Sequence, residues 1–201
     1  MLNKPILPSA YFAPIEYYAI LLKYKDSKIE YHENFIKQTI RNRCYIYGAN
    51  GKLCLTIPKE RKGSSKRIIK EIKICYHNNW KKEHWNAIKF SYNSSPFFKY
   101  YKDQIKNTFL NKKTLLVDFN QIIQKEIFSI LNEKYSVINT NKFIKSGNFS
   151  DLRNYKSNIT HLKEYHQVFS QNHGFIENLS ILDLIFNLGP ESTQYLKSIS
   201  I

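Results

Sequence analysis

The sequence predicts an α/β fold: a mixed sheet with a βαβ-like start and an antiparallel hairpin, covered by roughly four to six helices. Three observations predict it. Two short apolar runs flank an apolar helical stretch at the front of the chain. The tetrapeptide Gly48-Ala49-Asn50-Gly51 joins two further strand-like runs. Leu116, Phe119, Ile123, Ile127 and Ile130 recur at helical spacing.

Taken in order, Ile6 to Phe12 reads as a strand entering a turn. Pro14 opens a helix to about Tyr24, because proline is tolerated where a first-turn N–H has no partner. Lys28 to His32 is the next strand, and strand–helix–strand order favours parallel pairing. Arg43 to Tyr47 and Leu53 to Ile57 form the hairpin, and Glu71 to Tyr76 alternates as another strand. Asn79 caps a helix over Trp80 to Tyr92, and Ser95-Pro96 starts a second carrying Phe97, Tyr101, Ile105 and Phe109. Tyr135 to Asn139 returns to the sheet. Residues 140–165, with Ser146-Gly147-Asn148, lack a period and read as a long loop that closes as a lid, bringing Arg153 and Asp151 inward. Leu179 to Leu188 is a helix stopped by Gly189-Pro190. No linker divides the chain, so residues 1–201 are expected to form one domain, with 79–132 as a possible helical subdomain.

The 201 residues suffice for a sizeable core without disulfides. With 42% hydrophobic residues and a mean hydropathy of −0.48, disorder and a multi-spanning membrane protein are excluded. No run approaches the length of a membrane span. Cys44, Cys54 and Cys75 have no metal-site spacing and fit reduced thiols, so a cytoplasmic location is expected. His161 and His166 are five apart, which splays them on a helix, and no metal or cofactor is expected.

The net charge of +15 is confined to one half. Residues 1–113 carry 23 Lys and Arg against 8 Asp and Glu, whereas 114–201 carry 8 of each. A basic front half suits nucleic acid, lipid head groups or phosphorylated substrates. A lysine-rich solvated face explains it equally, since Lys outnumbers Arg 26 to 5.

That scarcity singles out Arg41 and Arg43, two apart on a stretch read as extended and so expected on one face. A guanidinium grips carboxylate or phosphate with two parallel bonds where lysine cannot. The expected anion grip is Arg41 and Arg43 with Lys37, oriented by Asn42; the alternative is a surface pair bridging to carboxylates. Glu30 and His32 share a face at a strand end and are candidates for general base and partner, or an edge-strand polar pair. Ser180, Asp183 and Asn187 form a polar ridge at i, i+3 and i+7. Ser180 with Asp183 is also the pattern of a capping box, which leaves Asn187 unexplained. The aromatics Trp80, Trp85, Tyr92, Phe97, Phe98, Tyr100 and Tyr101 fall mostly on helical stripes, which favours core packing over the alternative of stacking bases or sugars. No phosphate-loop, nucleophile-elbow or dinucleotide motif is present.

Several blocks together carry a family resemblance: Ala10-Tyr11-Phe12-Ala13-Pro14, Lys37-Gln38-Thr39 and Arg41-Asn42-Arg43-Cys44, and Leu55-Thr56-Ile57-Pro58. To these add His84-Trp85-Asn86-Ala87-Ile88, Ser95-Pro96-Phe97-Phe98 and Tyr165-His166-Gln167-Val168-Phe169. The last block runs Asn178-Leu179-Ser180-Ile181-Leu182-Asp183-Leu184, Phe186-Asn187 and Gly189-Pro190-Glu191. The chain resembles the WbqC-like protein family, in particular a branch common in Bacteroidetes-type genomes. The resemblance implies a role beside O-antigen and other surface-polysaccharide clusters, with glycine or aminoacyl transfer as the proposed activity. It supports positions Glu30, Lys37, Asn42 and Arg43, and adds Tyr11. Where the wider family has a Gln-Pro pair, this chain reads Leu7-Pro8-Ser9-Ala10.

Three functions follow as expectations. The first is a transferase on an anionic small molecule, a nucleotide sugar or an activated acyl donor, using Glu30, His32 or Asp183 as acid or base. The donor would be bound by Tyr11, Lys37, Arg41, Asn42, Arg43, Arg153, Ser180 and Asn187. The second is a nucleic-acid binder, the less favoured reading. The third is a non-catalytic scaffold of a biosynthetic complex.

Overall fold

The computed structural model describes residues 4–60, 67–145, 147, 149–154 and 162–201. Strand β1 (Pro5–Pro8) is buried along its length and leads to helix α1 (Ile15–Lys23), with Pro14 at the N-cap rather than inside the helix. Strand β2 (Lys28–Glu30) returns parallel to β1, pairing Ile6 with Lys28 and Pro8 with Glu30. This is the expected strand–helix–strand start.

Arg43–Gly48 (β3) and Gly51–Thr56 (β4) form the antiparallel hairpin, which makes a sheet of its own. Gly51 at φ +94° supplies the turn conformation that a side chain disfavours. Helices α2 (Trp80–Tyr92), α3 (Phe98–Leu110) and α4 (Leu116–Ile130) follow. Then come β5 (Ile138–Asn139), β6 (Ser150–Asp151) and the single turn α5 (Ser170–His173). The chain closes with α6 (Ile181–Leu188) and α7 (Ser192–Ser198).

The parallel sheet has the order β5-β2-β1-β6. Chains from its buried strands, the hairpin and the helices join in one apolar cluster that includes Leu7, Ile29, Ile46, Ile88, Phe109, Ile123 and Phe186. The α4 stripe is buried there as its spacing predicts. Gly189, at φ +51°, ends α6 where a Cβ would lie within 2.4 Å of the Phe97 ring.

Two elements differ from expectation. Glu71 to Tyr76 is not a strand: Ile69–Glu71 is a 3-10 turn, and only isolated bridges follow, Lys59 to Ile74 and Lys73 to Leu115. Ile72 and Ile74 are buried as alternation predicts, but the backbone bonds go singly to segments on either side, so no ladder forms. Ser95 does not cap α3, because its hydroxyl has no partner and the helix starts after Phe97. The expected lid is in part sheet, since Ser150–Asp151 forms β6 beside β1; its residues 146, 148 and 155–161 lie outside the described residues.

Candidate functional site at the carboxyl edge of the parallel sheet

Strand β1 connects through α1 to β2 on one side, while β6 lies on its other side. The chain therefore reverses its direction of winding between β1 and β6, and parallel sheets bind ligands outside the strand ends at such a point. Segment Ile40–Arg41 bridges this crevice. The Ile40 carbonyl accepts from Tyr11 N, just after β1, and Arg41 Nη2 donates to the Arg153 carbonyl, just after β6.

Arg41 is 2% exposed, and its fork is taken by Glu33: Nε donates to Oε1 at 2.9 Å and Nη2 to Oε2 at 2.6 Å. Nη1 donates to Thr39 Oγ1. Burial pushes the Glu33 carboxyl above its usual range, and Arg41 partly offsets that. Arg41 and Arg43 do not share an extended face. Thr39 O accepts from Asn42 N and Arg43 N, a turn that places Arg41 before β3 and Arg43 within it, opposite Thr56. Arg43 is half-buried and its Nε has no partner among the described residues. Asn42 is buried and donates to the Ile57 carbonyl, so it ties the turn to the hairpin.

Glu30 is fully buried at the end of β2. Its Oε1 accepts from His32 N and from Thr140 Oγ1 at 2.6 Å; its Oε2 accepts from Ile144 N and from Arg153 Nη1 at 3.4 Å. Four donors on two oxygens make this an acceptor that fixes three loops rather than a base open to a substrate proton. His32, half-buried, stands beside it. Lys37 is exposed, two residues before Thr39.

Arg153 is largely buried, whereas Asp151, expected to turn inward with it, is exposed. The Arg153 guanidinium lies 4.7 Å from the Phe143 ring centroid and 5.9 Å from that of Phe149, and Nη1 also donates to the Ile144 carbonyl. On the solvent side Nε and Nη2 hold the exposed Asp151, whose carboxyl is lowered chiefly by that hydrogen bonding. Beside the network a small cavity of about 10 Å³, room for roughly one water, is lined by Ser9, Ala10, Ile29, Tyr31, Asn120, Gln121 and Gln124. Asn120 Nδ2 donates to Ser9 Oγ and to the Arg41 carbonyl, while its buried Oδ1 has no partner among the described residues.

Tyr11 is not at this surface. It is fully buried and bonded to His84 Nδ1 at 2.8 Å. Burial raises the phenol and lowers the imidazole to about 4, so both are neutral core groups at neutral pH.

The polar ridge of α6 forms a separate cluster. Ser180 Oγ accepts from Leu182 N as an N-cap, but Ser180 N donates to the Tyr45 carbonyl, so the reciprocal half of a capping box is absent. Asp183, fully buried, accepts instead from Tyr165 at 2.5 Å and Gln167 at 2.8 Å. Burial pushes its carboxyl up to about 6, against hydrogen bonding from Tyr165, Gln167 and Tyr92 and the charge of His166. Asn187 donates to the Asp183 carbonyl, and its Oδ1 lacks a partner among the described residues. Gln167 also pairs its amide with both backbone groups of Ile176.

The structure thus gathers Glu30, His32, Arg41 and Arg153, and separates from them Tyr11 and the α6 ridge. Residue reading missed Glu33, Thr140, Asn120, Tyr165 and Gln167 as partners. Arginine scarcity pointed to Arg41 but carried no signal for the acid that holds it.

The WbqC-like protein family profile matches residues 9–153 and 135–195. The chain belongs to this family. The family match includes the strand ends, Glu33, Arg41 and Arg153, and in its second part the Asp183 cluster. Among curated proteins, the chain is 25% identical over 231 residues to the uncharacterised protein Rv1507c of Mycobacterium tuberculosis, covering 98% of each chain. No solved structure matches. Among the described residues, no helix is long and apolar enough to cross a membrane, and no cluster of His, Cys, Asp and Glu is arranged for a metal ion.

Proposed function

We propose that this WbqC-like protein is a cytoplasmic transferase of surface-polysaccharide assembly that takes an anionic activated donor, a nucleotide sugar or an acyl or aminoacyl derivative. The observation that carries the reading is the Glu33–Arg41–Arg153–Glu30 network at the winding reversal of a parallel sheet. Arg153 is the donor's anchor. Glu30, Phe143 and Phe149 hold the inner side of its guanidinium, so an incoming phosphate or carboxylate displaces only the exposed Asp151. Arg41 with Glu33 sets the walls, and Glu30 is a positioning residue. His32, at the rim, moves the proton of the acceptor nucleophile.

Thermal shift and calorimetry with nucleotide sugars, acyl phosphates and aminoacyl adenylates test this. One class is expected to raise the melting temperature of the wild type, and Arg153→Gln to weaken its binding by about tenfold or more. Equal binding by Arg153→Gln, or no response to any class, sinks the proposal. Binding of short RNA that falls steeply with salt would favour the nucleic-acid reading instead.

A further inference from the structure

We infer that the outer face of the α2–α3 helical hairpin is a docking surface for an anionic lipid bilayer. Among the described residues, the three most exposed large apolar side chains are Phe90 at 79%, Tyr100 at 76% and Leu110 at 73%; other exposed large apolar side chains reach 48% at most. All three lie on this one hairpin. Phe90 is in the last turn of α2, Tyr100 is in the first turn of α3 and Leu110 ends α3. Single exposed apolar residues need no explanation, but a set confined to one structural unit does.

The same unit carries much of the charge. Residues 80–113 hold 8 lysines against Glu83 and Asp103, with no arginine. Ile105, Thr108 and Phe109 are buried, so the opposite face of α3 turns outward with Lys99, Tyr100, Asp103, Lys106 and Leu110. On α2, Trp80, His84 and Ile88 face the core, while Lys82, Glu83, Lys89 and Phe90 face solvent, so lysines outnumber acids on the exposed faces four to two. An apolar set rimmed by lysine is how a helix lies in the head-group region: rings and a leucine enter the acyl boundary while ammonium groups meet lipid phosphates. Membrane interfaces also favour amphipathic aromatic side chains such as Tyr100.

Nucleic acid fits less well. Leu110 offers no face for base stacking, and the absence of arginine removes the side chain best shaped for phosphate forks and base edges. This surface is separate from the Arg153 crevice, so either reading can fail without the other.

The test is co-sedimentation of the full chain with phosphatidylcholine vesicles, with and without phosphatidylglycerol, at low and physiological salt. Wild-type protein is expected to pellet with the anionic vesicles and to stay in solution with the neutral ones. Replacing Phe90, Tyr100 and Leu110 together by Ser should weaken vesicle binding by more than about tenfold while leaving circular dichroism and the melting temperature unchanged, as fits exposed positions. Lys99→Gln with Lys106→Gln should weaken it by about fivefold for each charge removed. Wild-type protein that ignores anionic vesicles at low salt overturns the inference, as does a triple variant that binds like wild type. The same holds if the triple variant loses affinity for polyuridylate while vesicle binding is unchanged.

Discussion

At the edge of the parallel sheet, Glu30 and Glu33 face two guanidinium groups; on α6, Asp183 is held by a phenol and an amide with no cation bonded to it. Both places bury carboxyl groups, and both use them to bind loops together. The first is neutralised by charge, so its geometry depends on keeping the partner. The second relies on neutral donors, so burial wins and the carboxyl is pushed up to about 6. Burial raises Glu33 as well, but there the Arg41 charge opposes it, whereas at Asp183 the opposition comes mainly from neutral donors.

The comparison breaks most visibly at Arg41. Arg41→Met leaves Glu33 buried without its partner and should destabilise by about 3–5 kcal/mol in urea unfolding. Adding Glu33→Leu should recover most of that loss, because the pair is then removed as a unit. A single substitution that costs less than about 1 kcal/mol would mean that the crevice tolerates the bare acid.

The next effect is a pH dependence. Below pH 3.8 folded and unfolded chains both protonate Asp183 and nothing is lost. As pH rises towards about 6 the unfolded chain ionises first, so the contribution of this group falls by roughly 3 kcal/mol and stays lost above that. In Asp183→Asn the drop should vanish. Wild-type and variant stability curves that run parallel between pH 4 and pH 6 would mean that Asp183 does not titrate in that window. The smallest effect is at the helix start: Ser180→Ala removes the bond to Leu182 N and should cost about 1 kcal/mol without altering the pH profile.

Local patterns proved readable. The hairpin rests on Gly48 and Gly51, neighbours in sequence, and the α4 stripe on a period within one helix. Glu71 to Tyr76 misled because alternation records burial, which Ile72 and Ile74 fulfil, while a strand also needs a continuous partner. At the site, Glu30, Arg41 and Arg153 were legible as unusual residues. Their bonds were not, since the network draws on the ends of β2 and β6 and on the loops before β3 and after β5. The turn at Thr39 undid the shared face of Arg41 and Arg43 by a local bond that residue type does not announce. Tyr165 and Gln167, two apart and so turned the same way, were a missed signal for the group that they clasp.

The placement of β1 bears on how this chain must assemble. Ile6 finds its neighbour Lys28 soon after synthesis, but its other side waits for Asp151, when most of the polypeptide has been made. During that interval the most buried strand presents an open edge, and closing so long a loop is the slow kind of contact to form. The crevice that we assign to the donor is made by this late event. A ribosome-bound chain truncated before β6 therefore lacks the Arg153 side of the crevice and leaves one edge of β1 open to pairing elsewhere.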